Sequence, residues 1–80
     1  METLPQVDRR LDIRGEICPY TFVRTKLALE DMQPGQVLEV ILDYPPAAIS
    51  VPRSVGLEGH QVLAVRQQGE GDWSVLIRKA

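Results

Sequence analysis

One cysteine, Cys18, and one histidine, His60, occur in the 80 residues. A single thiol cannot close an internal disulfide, and one cysteine with one histidine falls short of the ligand count of a structural zinc site. No metal site is therefore expected, and a reducing compartment, where a free thiol stays usable, fits the composition. Basic residues are in no excess, since nine Lys and Arg stand against eleven Asp and Glu for a formal charge of -2. Binding to a phosphate backbone usually demands such an excess, so direct nucleic-acid binding is not expected. Long apolar runs are missing too. Val37–Leu42, itself interrupted by Glu39, falls far short of the roughly 20 residues that cross a bilayer, and no membrane segment is expected. The opening Met1-Glu2-Thr3-Leu4-Pro5-Gln6-Val7-Asp8 is acidic and has neither the basic region nor the apolar stretch of a secretory signal. A cytoplasmic location follows as the expectation. Paired carboxylates, phosphate-binding loops and metal-ligand spacings are also absent, and no cofactor is expected.

What remains is the composition of one small globular domain, 44% hydrophobic and 25% charged, with no room for a second. A chain of this size buries only about two-thirds of its unfolded surface, which argues against a large interior ligand site. Residues 1–9 read as a flexible N-terminal arm and 10–80 as the domain. A first strand is expected around 10–14, with Leu11 and Ile13 inward and Gly15 ending it. Cys18-Pro19 then opens a helix with Pro19 at its first position, where the missing N–H costs nothing. That helix should reach about Met32, before the stop Gln33-Pro34-Gly35. Phe22, Thr25, Leu29 and Met32 share one helical face, assigned to the core. Tyr20, Val23 and Leu27 form a second stripe, which suits either packing against a neighbouring helix or a docking surface beside Cys18.

Val37–Leu42 is β-rich and bounded by Gly35 and Asp43-Tyr44-Pro45-Pro46, so it reads as a buried strand. Pro52 within 47–57 suggests a helical turn followed by a short helix, capped by Ser50 with Pro52 in its first turn. Residues 61–66 and 73–78 alternate as strands and are joined by Gly69-Glu70-Gly71-Asp72 into a hairpin. The order β-α-β-α-β-β gives an α+β fold, two helices on one face of a four-stranded mixed sheet. Ile41 and Leu76 fall on the uncovered face, where they could support a partner or dimer contact.

A thiol at the mouth of a helix meets unpaired N–H groups and the positive end of the helix dipole, both of which stabilise a thiolate. Lone cysteines are commonly inert buried residues, but the strand-to-helix position of Cys18 favours a nucleophile. Lys26 lies roughly 12 Å down the helix and Arg24 about 9 Å at 1.5 Å per residue, too far for Lys26 to be its ion partner. Arg14 and Arg53 could approach through folding, although solvated surface charge is the plain reading of each. His60 is the one candidate general base. A structural role, satisfied by local hydrogen bonds, is the favoured reading. Asp43 with Pro45-Pro46 reads as turn and helix-start chemistry.

The ordered landmarks Leu11-Asp12-Ile13-Arg14-Gly15, Cys18-Pro19, Lys26, Gly35, Leu38-Glu39-Val40, Asp43, Pro46-Ala47, Val51-Pro52, Gly59-His60 and Val62-Leu63 resemble the TusA/SirA sulfur-carrier family over residues 10–79. The resemblance implies a two-layer α/β sandwich. It also implies that Cys18, as the cysteine of the family's Cys-Pro-x-Pro motif, accepts sulfane sulfur as a persulfide and relays it. Expected partners are a cysteine desulfurase or other persulfide donor and a downstream sulfur-acceptor protein, in tRNA thiolation, molybdenum-cofactor or sulfur-oxidation type pathways. Pro19, Gly15, Arg14 and Thr21 are the supporting residues of the thiol loop and helix start. Thr21 stands where the motif has its second proline, which leaves partner specificity open. Two competing classes are a non-catalytic interaction module with a dispensable thiol, and an RNA-binding domain like the C-terminal domain of translation initiation factor three. The acidic balance speaks against the latter.

Overall fold

A computed structural model describes residues 6–17 and 19–80; most of the expected N-terminal arm, and Cys18 itself, lie outside the described residues. The elements follow the expected order: β1 (Arg9–Asp12), α1 (Tyr20–Glu30), β2 (Val37–Leu42), α2 (Pro45–Leu57), β3 (Gln61–Gln68) and β4 (Asp72–Arg78). The strands lie in the order β1-β2-β4-β3, with β1 parallel to β2 and the other pairs antiparallel, a mixed sheet.

Side-chain alternation decides which face of the sheet is covered. Leu38, Val40 and Leu42 of β2 join Val75 and Ile77 of β4 in one core with Ala28 and Leu29 of α1 and Ala47, Val51 and Val55 of α2. Both helices therefore cover the same face. Glu39 and Ser74 lie on the other face and are nonetheless buried, together with Leu76. The Ser74 hydroxyl donates to Glu39 Oε2 at 2.7 Å and Arg10 Nε donates to Oε1 at 2.7 Å. Burial alone would raise the Glu39 carboxyl, but these two donors outweigh it and hold it below its ordinary value. The expected apolar patch on this face is thus small: Leu76 is buried and Ile41 half-buried.

Several boundaries differ from the expectation for identifiable reasons. Asp8 donates its N–H to the Val37 carbonyl and accepts the Val37 N–H on Oδ2, so strand pairing starts earlier than residue 10. The α2 helix is continuous from Pro45 with Pro52 inside it, not a turn followed by a short helix capped at Ser50. Pro45 and Pro46 supply the start, where prolines are tolerated. The four-residue spacing of Ala47, Val51 and Val55, all buried, carries the helix through Pro52 because each turn adds a core side chain. The helix α1 ends at Glu30 rather than near Met32; Thr25 and Leu29 on it and Met32 just past its end are buried as expected, Thr21 and Ala28 join them, and Phe22 is only partly covered. Tyr20, Val23 and Leu27 are 58%, 43% and 57% exposed, so that stripe does not pack against α2. The hairpin strands are longer than expected, and a register shift between Val62 and Ala64 marks a bulge on the edge strand β3. Among the described residues no helix is long and apolar enough to cross a membrane.

Two substitutions test this core. Leu42→Ala, at a fully buried position, should lower unfolding free energy by about 2–5 kcal/mol in urea titration. Ser74→Ala should cost about 1–3 kcal/mol by leaving a buried carboxylate oxygen without its donor. Because the folded Glu39 value is depressed, its contribution is fully present above the ordinary 4.5 and fades as pH falls through the folded value. The Ser74→Ala penalty should accordingly shrink in acid.

Candidate functional site

The segment between β1 and α1 carries the candidate nucleophile, and its course is dictated residue by residue. Ile13 is buried and donates its N–H to the Ile41 carbonyl at 2.8 Å, extending the ladder to the end of β1. Glu16 returns its N–H to the Ile13 carbonyl at 3.1 Å, closing a tight turn. Gly15 sits in that turn at φ 93°, in the left-handed region that side chains disfavour. Its N–H donates to Asp43 Oδ1 at 2.9 Å, just past the end of β2. Ile17 is 55% exposed. Its carbonyl accepts the N–H groups of Tyr20 at 2.8 Å and Thr21 at 3.3 Å.

Pro19 occupies the N-cap position of α1 rather than the first helical one, and its carbonyl accepts the Val23 N–H at 3.2 Å. Thr21 is fully buried, and its carbonyl accepts the Thr25 hydroxyl at 2.8 Å. A proline at this position could not donate the bond that Thr21 makes to Ile17. The substitution in the motif therefore adds a backbone bond at the helix start and places a side chain in the interior.

Arg14 is bound as a fork to Asp12, with Nη2 to Oδ2 at 2.7 Å and Nε to Oδ1 at 3.0 Å, and reaches Asp72 at 3.5 Å. The Arg14 side-chain hydrogen bonds, followed by its backbone N–H, hold the Asp12 carboxyl down to about 2, and the guanidinium is raised in turn. Arg14 thus spans from the end of β1 to the start of β4 with its charge already matched. Arg24 pairs with Glu16 at 3.0 Å and Lys26 with Glu58 at 3.2 Å. Arg53 is exposed on α2.

His60 belongs to the opposite end of the sheet. It precedes Gln61, which pairs with Arg78 and through it aligns with Val37, whereas the thiol loop follows the end where Leu42 pairs with Trp73. The two ends of β2 are about 16 Å apart at 3.3 Å per residue. His60 Nδ1 accepts the Ala80 N–H at 3.1 Å and its own N–H bonds the Val55 carbonyl. Burial, then the nearby Lys79, pushes the imidazole below its ordinary value, against Glu58. Its ring and its backbone are thus engaged at this end of the sheet, as local hydrogen bonding would have it.

Sequence reasoning missed Asp43, Asp12 and Asp72 as the groups that shape the loop. Only Asp12 had a local signal, two residues before Arg14 at the strand end.

The fold and this loop define a class of small two-layer α+β domains with a Cys-Pro pair after the first strand. The family model "Sulfurtransferase TusA" matches residues 9–79, and the chain belongs to that family. It is 59% identical over 69 residues to a candidate sulfur carrier protein of Archaeoglobus fulgidus, covering 86% of this chain and 78% of that one. A candidate sulfur carrier protein of Thermotoga maritima is 44% identical over 73 residues, covering 91% and 92% of the two chains. The crystal structure of a SirA-like protein from Desulfitobacterium hafniense shares the fold with a TM-score of 0.78 at 24% identity, over 88% of this chain and 95% of that one.

The Asp12–Arg14 fork is open to titration. A carboxyl-detected NMR titration should place the Asp12 midpoint near 2, and Arg14→Ala should return it toward the ordinary 3.8. Since the folded value is depressed, the ion pair holds above that range and is lost as pH falls through about 2.

Proposed function

We propose that the protein is a sulfur carrier that takes sulfane sulfur onto Cys18 as a persulfide and relays it to an acceptor protein. The family match over residues 9–79, with the Cys-Pro pair leading into α1, carries this reading. In the first step the Cys18 thiolate attacks the terminal sulfur of a donor persulfide. The donor's S–S bond breaks, the donor cysteine leaves as its thiolate, and a Cys18 persulfide forms with no net oxidation or reduction. In the second step an acceptor thiolate attacks the outer sulfur and Cys18 leaves as the thiolate. Neither step calls for a cofactor. Supporting this reading, Pro19 shapes the start of α1, Gly15 and Arg14 hold the preceding turn, and Thr21 anchors the first helical turn in the core. A cysteine desulfurase or another persulfide donor is the proposed first partner, and a reducing cytoplasm the proposed setting. The carrier unit proposed is 10–80, with 1–9 as its arm.

The exposed Tyr20, Val23 and Leu27 stripe favours a second reading, an interaction module in which the thiol is dispensable. One experiment separates them. Incubation with a cysteine desulfurase and cysteine should add one sulfur atom to the intact mass, removable by reductant and abolished by Cys18→Ser. Absence of the adduct with several persulfide donors would overturn the carrier reading, and retained cellular function in Cys18→Ser would favour the module.

A further inference from the structure

Three consecutive residues before Cys18 are each tied to a different element. Arg14 reaches Asp72 at the start of β4, Gly15 reaches Asp43 beyond β2, and Glu16 reaches Arg24 on α1. The middle tie differs in kind. Arg14 and Glu16 use exposed, flexible side chains, whose pairs contribute little, whereas Gly15 uses its backbone N–H. That bond acts on the main chain at the residue with φ 93°, and no long side chain on the Gly15 side can absorb its loss. Asp43 itself is held closely in place, because it lies between the last β2 residue, Leu42, which is fully buried, and Tyr44, the N-cap residue of α2. The carboxylate therefore transmits the position of the β2–α2 junction to the β1–α1 loop.

We propose that Asp43 is a positioning residue for Cys18: by accepting the Gly15 N–H it holds the turn that sets the thiol's approach to a donor persulfide. Asp43 touches no reacting atom in this scheme. Loss of the bond frees the turn, and the thiol spends less time in the reactive geometry, an effect that readily reaches tenfold or more for misplaced groups. The inference rests on the sulfur-carrier reading for its transfer step, but its geometric content concerns the thiol alone.

The test compares wild type, Asp43→Ala, Asp43→Asn and, as a remote surface control, Asp31→Asn. Two rates are measured in the intact chain, each normalised to the folded fraction from urea titration: sulfur uptake from a cysteine desulfurase, and alkylation of Cys18 by iodoacetamide across pH. Asp43→Ala should slow sulfur uptake by about tenfold and displace the alkylation pH profile. Asp43→Asn keeps an acceptor oxygen for Gly15 and should restore most of the rate and the wild-type profile, and Asp31→Asn should match wild type. Wild-type rates and profile in Asp43→Ala would overturn the proposal, as would an Asp43→Asn variant as impaired as Asp43→Ala, which would place the effect in charge rather than in the hydrogen bond. Failure of wild type itself to take up sulfur counts against the carrier reading, and the alkylation profiles then decide the role of Asp43 by themselves.

Discussion

The parallel pairing of β1 with β2, which sets Leu11 beside Val40 and Asp12 beside Ile41, governs where every other feature falls. Parallel neighbours both finish at the same end of a sheet, and here each is followed by a helix on the same face. The turn holding Gly15 and the junction holding Asp43 consequently meet, although 28 residues separate them in the chain. Antiparallel pairing of β4 on the other side of β2 brings Asp72 to this same end, within reach of Arg14. One strand register thus gathers the contacts that shape the loop before Cys18.

Thr21, where the chain departs from the motif, is built into the first turn of α1. A proline there would fix the backbone of the first helical turn through its ring. Thr21 instead donates its backbone N–H to Ile17 and buries its side chain completely. The apolar residues exposed at this end of α1 are Ile17, Tyr20 and Val23.

Local chemistry made much of the fold legible. Val37–Leu42 could be read as a strand because its mainly β-branched and aliphatic residues lie between Gly35 and Asp43, and the β3–β4 hairpin because two β-rich runs flank the turn residues Gly69-Glu70-Gly71-Asp72. The reading failed where one residue type has two uses. Pro52 signals a helix start in isolation, yet here Pro45 and Pro46 start the helix and the buried Ala47, Val51 and Val55 row sustains it past Pro52. At the site, the Cys-Pro pair, Gly15 and the helix that follows were visible in the pattern, and Arg14 was visible as a nearby charge. Its fork with Asp12 and its reach to Asp72, 58 residues on, were not, because a pair at that separation leaves no periodic trace. Asp43 looked like a turn residue for the same reason: its partner is a backbone N–H, which no side-chain pattern announces.

The buried Glu39, with its donors Arg10 and Ser74, lies on the sheet face that carries no helices. An apolar side chain there would have left a flat, sticky surface ready to stack on the same surface of another molecule. Instead, any body pressed against this face must strip water from the exposed Arg10 head group and strain a carboxylate already committed to two donors, a cost that apolar contact alone offsets poorly. The centre of this face thereby carries a hydrogen-bonded carboxylate instead of a bare apolar strip.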